Sequence, residues 1–214
     1  MYTSLIKDYR LHHGFGRFAP QLFLFDMDGV LYDSMPNHAK AWVSSMASFG
    51  LQMREIDAYL TEGQKGSDTI IQMMQKQKGV EIGQQEAQIM YDRKAEIFAS
   101  LPTAAVMPGV KELMQLIHQQ GWQIGIVTGS GQRPLINRIK QDFGEYVSDN
   151  HIVTAYDVEH GKPAPDPYLK GMEQAGVKEP WRVVVVENAP LGVQAGVAAR
   201  CFTVGVATGL VSKR

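Results

Sequence analysis

Two aspartates follow the first apolar run of the chain, and their spacing lets them act together. The run 22–25 leads directly into Asp26, and Asp28 comes two positions later, before a glycine. Residues two apart in an extended segment point the same way, so we expect both carboxylates on one side. One acid of such a pair can attack as a nucleophile while the other carries a proton. The pair can also share a divalent cation, because Mg²⁺ prefers carboxylate and carbonyl oxygens.

Further polar groups follow apolar segments later in the chain. Thr128 comes after one such segment, Lys162 lies in the loop after a second, and Glu187-Asn188 follows a third. In open α/β sheets, ligands bind at the edge formed by the carboxyl ends of the strands. We therefore expect these groups to meet the two aspartates at that edge, where their types suit a phosphate bound with a metal.

The residue types assign each group a role in phosphoryl chemistry. Asp26 would attack phosphorus and form an aspartyl-phosphate. Asp28 would protonate the leaving oxygen and then take a proton from the incoming acceptor. Thr128 offers a hydroxyl, and Lys162 would offset the negative charge where carboxylate and phosphate meet.

Backbone and oxygen groups complete the expected site. The amides around Gly129 and Ser130 can donate to phosphoryl oxygens. A cation would offset the repulsion between the nucleophile and the phosphate, and hard oxygen ligands are available for it. The expected Mg²⁺ ligands are Asp26, the backbone carbonyl of Asp28, Glu187 and Asn188.

Each group also has an ordinary structural interpretation. The Asp-x-Asp-Gly segment alone could be a solvated turn, and the glycines after Thr128 alone a flexible turn. Lys162 alone would be a surface lysine in most proteins. Glu187-Asn188 could simply cap the following helix. The order of these groups, each after a separate apolar strand, favours the functional interpretation.

The elements that must position the site alternate in type along most of the chain. Alternating apolar strands and amphipathic helices predict an α/β fold with a doubly wound parallel sheet. The segment 35–104 has helical periodicity and no convincing strand, so we expect an inserted α-helical cap domain. The predicted domains are an α/β core of residues 1–34 and 105–214 and a helical cap of residues 35–104.

Local signals predict the helix boundaries. A first cap helix begins near Pro36 and ends at a glycine cap, Gly50. Further helices are expected at about 54–60, 67–78 and 84–100. Their methionines are most simply core filler, with a copper-binding cluster as the alternative. In the core, Asp166 is expected to cap a helix that has Pro167 at its first position.

Composition is that of an ordinary globular protein. The chain has 214 residues and a formal net charge of −1, so no general attraction to nucleic acid or anionic membranes is expected. No apolar run is long enough to span a bilayer. The only cysteine, Cys201, has apolar neighbours that predict a buried thiol. We expect a cytoplasmic protein without nucleic-acid or membrane partners and favour a monomer, although the sequence does not determine the oligomeric state.

The order of these motifs resembles the haloacid dehalogenase superfamily. Phe-Asp-Met-Asp-Gly-Val-Leu-x-Asp-Ser resembles the first motif of its phosphotransferase branch, and true dehalogenases lack the aspartate at the position of Asp28. Thr128 stands where the second motif has Thr or Ser. Gly-Lys-Pro-Ala-Pro-Asp, with Lys162, and Glu-Asn-Ala-Pro-Leu-Gly, with Glu187 and Asn188, resemble the third and fourth motifs of the β-phosphoglucomutase-like branch. The resemblance implies a Rossmann-like core, a helical cap between the first two motifs, and phosphoryl chemistry.

Two departures from that branch concern the metal and the substrate. The branch usually has Glu-Asp at the position of Glu187-Asn188, so we expect a weaker Mg²⁺ site, because asparagine keeps an oxygen ligand but loses a charge. The mutase of the branch also has a cap arginine that grips the non-transferring phosphate. Here Gly66 stands at about that position, and the neighbouring Lys65 could substitute, although lysine lacks the bidentate fork of arginine.

Two cap residues match positions that assist closure and acceptor positioning in that mutase. His38 falls on the first cap helix, and Lys94 on the last. A solvated or core-edge histidine is an equally good interpretation of His38. A solvated lysine is the simpler interpretation of Lys94.

Three functions are compatible with the sequence. We expect a Mg²⁺-dependent phosphatase of a small phosphorylated metabolite, with a sugar phosphate favoured, because the missing cap arginine weakens the case for a bisphosphate intermediate. The alternative is a β-phosphoglucomutase-type mutase, which His38 and Lys94 favour. A further alternative is a non-catalytic binding protein on a degenerate scaffold. Asn188 favours it, as does the end of the chain at Arg214, where the family usually continues with another strand and helix.

Overall fold

A five-stranded parallel sheet lies at the centre of the computed structural model, which describes residues 2–130 and 133–209. The strand order is β3-β2-β1-β4-β5, and every neighbouring pair is parallel. This arrangement confirms the predicted α/β fold. The strands are β1 (Leu22–Phe25), β2 (Gln123–Val127), β3 (Ile152–Val153), β4 (Val183–Glu187) and β5 (Phe202–Gly205).

Helices precede β1, fill the long segment between β1 and β2, and connect the later strands. Two short 3₁₀ turns, Asp149–His151 and Pro180–Arg182, lead into β3 and β4. None of the helices in the described part of the chain is both long and apolar enough to cross a membrane. The helices are α1 (Tyr2–His13), α2 (Met35–Ser48), α3 (Glu55–Leu60), α4 (Gly66–Lys78), α5 (Gln84–Ser100), α6 (Val110–Gln119), α7 (Arg133–Phe143), α8 (Asp166–Gln174) and α9 (Pro190–Ala198).

Alternation of side chains along the strands builds one apolar core on each face of the sheet. Leu22 and Leu24 of β1 pack with Tyr168 of α8, whereas Phe25 packs on the opposite face with Met114 of α6. All five side chains are at most 1% exposed. Burial of a large apolar side chain stabilises a fold by roughly 1.5–3 kcal/mol. These two cores hold β1 in the middle of the sheet and fix where its carboxyl end emerges.

The segment between α2 and α5 has an apolar cluster of its own. Buried side chains from α2, α4 and α5, among them Met46, Ile70 and Met90, pack together without residues of the sheet. Met46, Met53 and Met90 are buried in this cluster and Met73 and Met74 pack against it partly buried, which agrees with their interpretation as core filler. The domain boundaries at residues 35 and 104 stay a prediction.

Glycine and proline mark the ends of the cap helices where the sequence predicted them. Pro36 lies in the first turn of α2, and Gly50 follows that helix with φ of +68°. The last cap helix has the predicted bounds, Gln84–Ser100. Capping signals thus predicted both ends of α2, whereas the bounds of α5 were predicted without them.

The predicted cap of α8 is wrong. The helix begins at Asp166 itself, Pro165 holds the N-cap position, and no side chain caps the helix. The carboxylate of Asp166 instead accepts a hydrogen bond from His160 Nδ1 at 2.9 Å. A partner in the preceding loop thus replaces the backbone amide that a capping aspartate would bind.

The helix α1 was not predicted, because its sequence lacks a clear apolar face. Tyr9 anchors it to the sheet edge: its ring packs edge-on against Phe18 and Phe202, and its hydroxyl donates to the Arg200 carbonyl at 2.8 Å. Tertiary packing of aromatic rings, rather than periodicity, accounts for its position.

The state of Cys201 gives a direct test of the core on the α8 side of the sheet. Its thiol is 2% exposed, and burial raises its pKa to about 12. Because the thiolate is the reactive form, we expect Ellman's reagent not to modify the native protein within minutes. Unfolding in guanidinium should release one equivalent of chromophore per chain, since the sequence has one cysteine. Rapid stoichiometric labelling of the native protein would contradict this packing.

Candidate active site

The carboxyl edge of the sheet holds a buried ammonium between two carboxylates. Lys162 Nζ donates to Asp26 Oδ1 at 2.5 Å, to Glu187 Oε1 at 2.6 Å and to the Val127 carbonyl at 3.1 Å. Asp26 directly follows β1, with its amide donating to the Val186 carbonyl, and Glu187 is the last residue of β4. The side chains of Lys162 and Glu187 are fully buried, so the interpretation of Lys162 as a surface lysine is wrong.

Burial and mutual repulsion set the charges of this cluster. Burial first, and then the charge of Glu187, raise the pKa of Asp26 to about 8, although Lys162 opposes them. Burial disfavours the charged form of Lys162, but the two carboxylates outweigh it and hold its pKa above the ordinary value. Tyr168 donates its hydroxyl to Glu187 at 2.7 Å. The cluster therefore has a permanent positive charge at Lys162 and a carboxyl, Asp26, whose ionisation depends on what lies beside it.

A second set of polar contacts connects Asp28 with the cap. His38 Nε2 lies 3.0 Å from Asp28 Oδ1, and Lys94 Nζ lies 2.6 Å from His38 Nδ1. The hydroxyl of Ser34 donates to the same Asp28 oxygen at 2.5 Å. Burial lowers the pKa of His38, so the ring is neutral: Nδ1 accepts from the ammonium, and Nε2–H donates to the carboxylate. Burial would raise the pKa of Asp28, but His38 and Ser34 outweigh it and hold that pKa below its usual value.

Lys94 ends this set of contacts inside an aromatic cage. Its ammonium lies 5.3 Å from the ring centroid of Trp42, 5.5 Å from that of Tyr91 and 5.2 Å from that of Phe98. Such rings stabilise a buried cation, although burial still lowers the pKa of Lys94 to about 8. Lys94 is 2% exposed and His38 is 7% exposed, so the solvated interpretations of both residues are wrong.

The loop after β2 lies against the cap. Thr128 and Ser130 are buried, and the Ser130 amide donates to Thr128 Oγ1 at 3.0 Å. That amide is thus engaged within the loop rather than directed at a ligand. A Cβ at Gly129 would lie 2.8 Å from the carbonyl oxygen of Gly63, so the absence of a side chain lets cap and core meet. Gly131, the last residue of this predicted loop motif, lies outside the described residues, as does the chain end at 210–214.

Cap and core enclose a small cavity beside the two aspartates. Asp26, Asp28 and Ser130 line it from the core, and Glu62 and Thr69 line it from the cap. Its volume is about 60 Å³, which holds a few water molecules and not a sugar. A substrate of that size would need more room beside Asp26 than this arrangement of cap and core provides.

The side-chain amide of Asn188 shows whether its oxygen is available to bind a cation. Its Nδ2 donates to Glu62 Oε1 at 2.8 Å, whereas its Oδ1 is buried without a hydrogen-bond partner among the described groups. A Cβ at Gly29 would lie 2.2 Å from Asn188 Nδ2, so the amide packs on the backbone next to Asp28. An unpartnered carbonyl oxygen in an acidic site suits a hard cation such as Mg²⁺. Asn188 does not cap α9, where Ala189 holds the N-cap position.

Glu187 has little capacity left as a metal ligand. Its Oε1 accepts from Lys162 and Tyr168, and its Oε2 accepts from the amides of Asn188 and Ala189 at 2.9 and 3.0 Å. Among the described residues, no three His, Cys, Asp or Glu side chains form a metal-binding group by themselves. The other predicted ligands, Asp26, the backbone carbonyl of Asp28 and Asn188, offer the hard oxygens that Mg²⁺ prefers, and their use as ligands stays a prediction.

Lys65 does not join the other predicted site residues. Its ammonium donates to the backbone carbonyls of Val158 at 2.6 Å and Glu159 at 2.7 Å. It is absent from the residues that line the cavity beside Asp26. Lys65 thus connects the cap loop to the core loop before Lys162, and its amine is not directed at the place expected for a second phosphate.

Sequence reasoning missed Glu62, the acidic residue that the cap contributes to the cavity. It is 8% exposed, and burial, followed by the charge of Asp26, raises its pKa to about 9. Ser34 and Tyr168, which bind Asp28 and Glu187, were also missed. Only the position of Glu62 in the cap segment near the absent arginine could have singled it out, because its burial arises from contact between cap and core.

Known proteins resemble this chain over nearly its whole length. Residues 20–200 match the family described as haloacid dehalogenase-like hydrolase. Hexitol phosphatase A of Escherichia coli is 33% identical, over 86% of this chain and 82% of its own length. Fructose-1-phosphate phosphatase of the same organism is 29% identical, over 86% of this chain and 94% of its own length.

A solved structure from Bacteroides vulgatus, provisionally assigned as a beta-phosphoglucomutase, is similar in both sequence and fold. It is 42% identical, has a TM-score of 0.91, and the match covers 96% of this chain and 83% of that one. The sequence match, the shared fold and the relatives' phosphatase activities agree with one another. The chain is an enzyme and belongs to the haloacid dehalogenase-like hydrolase family.

Proposed function

We propose that this enzyme is a Mg²⁺-dependent phosphatase of small phosphorylated metabolites, with sugar phosphates as its substrate class. The reaction would pass through an aspartyl-phosphate at Asp26. The observation that carries the proposal is the contact of the Lys162 ammonium with Asp26 Oδ1 at 2.5 Å, with Asp28 lining the same cavity. Relatives named for hexitol and fructose 1-phosphate dephosphorylation support the substrate class.

In the first half of the reaction, Asp26 accepts the phosphoryl group. A carboxylate oxygen of Asp26 bonds to phosphorus, the bond from phosphorus to the sugar oxygen breaks, and Asp28 gives its proton to that oxygen. Lys162 offsets the negative charge where carboxylate and phosphate meet. A phosphate dianion beside Asp28 raises the pKa of that carboxyl, because like charges disfavour ionisation, and so favours its acid form.

In the second half, water takes the place of the sugar. Asp28, now ionised, accepts a proton from the water as its oxygen bonds to phosphorus. The bond between phosphorus and Asp26 then breaks, which releases inorganic phosphate and restores the carboxylate. The hydrogen bond from His38 Nε2–H favours the ionised form of Asp28 that this half requires.

A cation would assist at Asp26. When bound, Mg²⁺ would reduce the repulsion between the Asp26 carboxylate and the phosphate. The residues that would hold it are Asp26, the backbone carbonyl of Asp28 and Asn188. Glu187 would not bind the cation directly. It would position the neighbouring groups through its contacts with Lys162 and with the amides of Asn188 and Ala189.

The first test is turnover and its dependence on Asp26. With Mg²⁺, a panel of hexose and hexitol phosphates should include members from which the protein releases inorganic phosphate, measured by a molybdate assay. Asp26→Asn should reduce that rate about a thousandfold or more, because it removes the nucleophile. EDTA should abolish release, and added Mg²⁺ should restore it.

The matched control is Asp8→Asn, which makes the same change at an exposed position of α1. It should retain the wild-type rate. Phosphate release that Asp26→Asn leaves intact would contradict the proposal, and so would a wild type that hydrolyses no member of the panel.

A mutase is the second candidate, because the Bacteroides vulgatus relative shares 42% identity and His38 and Lys94 connect to Asp28. A mutase must hold a second phosphate. Lys94 is the only cation among the described residues that line the cavity. Its ammonium already donates a hydrogen bond to His38 Nδ1. Lys65 is bound to backbone carbonyls. These contacts favour hydrolysis.

Product analysis separates the two activities. We expect β-glucose 1-phosphate, if it is turned over, to give glucose and inorganic phosphate, because none of the described residues that line the cavity offers a free cation to retain a bisphosphate. The products are followed by ³¹P NMR, with a glucose 1,6-bisphosphate primer in a parallel sample. Conversion to glucose 6-phosphate without net phosphate release would reverse the assignment in favour of the mutase.

The rate of turnover should depend on pH through the charge on Lys94. Below about pH 8 its ammonium holds His38 Nδ1, and above that pH the positive charge is lost. With saturating Mg²⁺, which would keep the Asp26 carboxylate ionised, turnover should therefore fall as pH rises through about 8. Lys94→Met should lower the rate at pH 7 by roughly tenfold, the size of one charged hydrogen bond, and should lack this alkaline fall.

Lys40→Met, at an exposed position of α2, is the control and should keep the wild-type profile. An alkaline fall in Lys94→Met that matches the wild type would show that another group causes it.

A further inference from the structure

The amide of Asn188 has two different ends, and only one of them can bind a cation. In the structure the nitrogen is the occupied end, because Nδ2 donates to Glu62 Oε1 at 2.8 Å. Oδ1 is buried and has no hydrogen-bond partner among the described groups. Rotation of the amide by half a turn would place Nδ2, which cannot bind a metal, in the position of Oδ1.

The contact that fixes this orientation comes from the cap. Glu62 lies in the loop after α3, whereas Asn188 lies after β4, and the two side chains meet across the boundary of cap and core. On its other side the amide packs against Gly29, where a Cβ would lie 2.2 Å from Nδ2. The core therefore confines the amide in space, and Glu62 supplies the hydrogen bond that distinguishes its two ends.

We propose that Glu62 is a positioning residue that turns Asn188 Oδ1 toward the cation, so that cation affinity depends on cap closure. The inference rests on the proposed use of Mg²⁺. When the cap opens, Glu62 moves away with it, and the amide loses the contact that selects its oxygen. Linkage is reciprocal, so the cation must favour the closed cap by the same factor by which closure favours the cation.

The identity of residue 188 agrees with this role. An aspartate there would place a second carboxyl against Glu62, so the two groups would have to share one proton or repel each other when the cap closes. Asparagine can donate to Glu62 through one end and bind a cation through the other. An aspartate has two equivalent oxygens and would need no such orientation. The test uses this difference between asparagine and aspartate.

The experiment measures Mn²⁺ affinity by the EPR signal of the free ion, with Mg²⁺ as competitor. Glu62→Leu should weaken binding about tenfold, because one hydrogen bond no longer selects the amide orientation. Glu62→Gln keeps an acceptor oxygen and should restore most of the affinity. In an Asn188→Asp background, Glu62→Leu should not weaken binding, because either carboxylate oxygen can face the cation.

Glu81→Leu is the matched control, at an exposed position of a cap loop away from the cavity, and should bind Mn²⁺ as the wild type does. Hydrogen exchange of the loop 61–66 gives the reciprocal readout: the cation should slow exchange in the wild type and not in Glu62→Leu.

Equal Mn²⁺ affinity in wild type and Glu62→Leu would overturn this inference and leave the proposed phosphatase intact. Equal weakening by Glu62→Leu in both backgrounds would also overturn it, since the effect would then not act through the amide. A wild type that binds no divalent cation would overturn the proposed use of Mg²⁺ together with the inference.

Discussion

The ammonium of Lys162, buried between Asp26 and Glu187, is the interaction on which the rest of the site depends. Its removal would leave two buried carboxyl groups without a positive charge beside them, and breaking a buried ion pair costs about 3–5 kcal/mol. The burial is tolerable because every side of the cluster has a partner: the Val127 carbonyl for the ammonium, and Tyr168 and two backbone amides for Glu187. These partners come from the ends of β2 and β4 and from α8. The sheet order, with β1 between β2 and β4, is what brings them to Asp26.

The cap extends this electrostatic arrangement rather than merely covering it. His38, which itself accepts a hydrogen bond from Lys94, binds Asp28, and Glu62 binds Asn188. Both contacts join a cap side chain to a core residue that has a proposed role in proton transfer or cation binding. Under the proposed function, closure of the cap would therefore change the chemistry of the core residues as well as their access to water, which competes with any other phosphoryl acceptor.

The parts of this structure that sequence predicts well are those decided by local or strongly periodic signals. The apolar run before Asp26 became a buried central strand, and the helix Gln84–Ser100 had the predicted bounds. The parts that it missed depend on distant partners. Lys94 looked solvated because its helix is rich in polar residues, and the three rings that enclose its ammonium are invisible to periodicity. Glu62 and Lys65 gain their contacts only when cap and core meet, so a capping or motif argument could not assign either one.

The claim that Asp26 carries the phosphoryl group can be tested on the enzyme during turnover. The enzyme is mixed rapidly with a ³²P-labelled hexose phosphate that it hydrolyses, quenched in acid and reduced with borohydride, which converts an aspartyl-phosphate to homoserine. Peptide mass spectrometry then locates the modified position. An aspartyl-phosphate at Asp26 requires acid-stable, hydroxylamine-sensitive label on the protein and homoserine at position 26. Turnover without covalent label, or homoserine at any other aspartate, would contradict it.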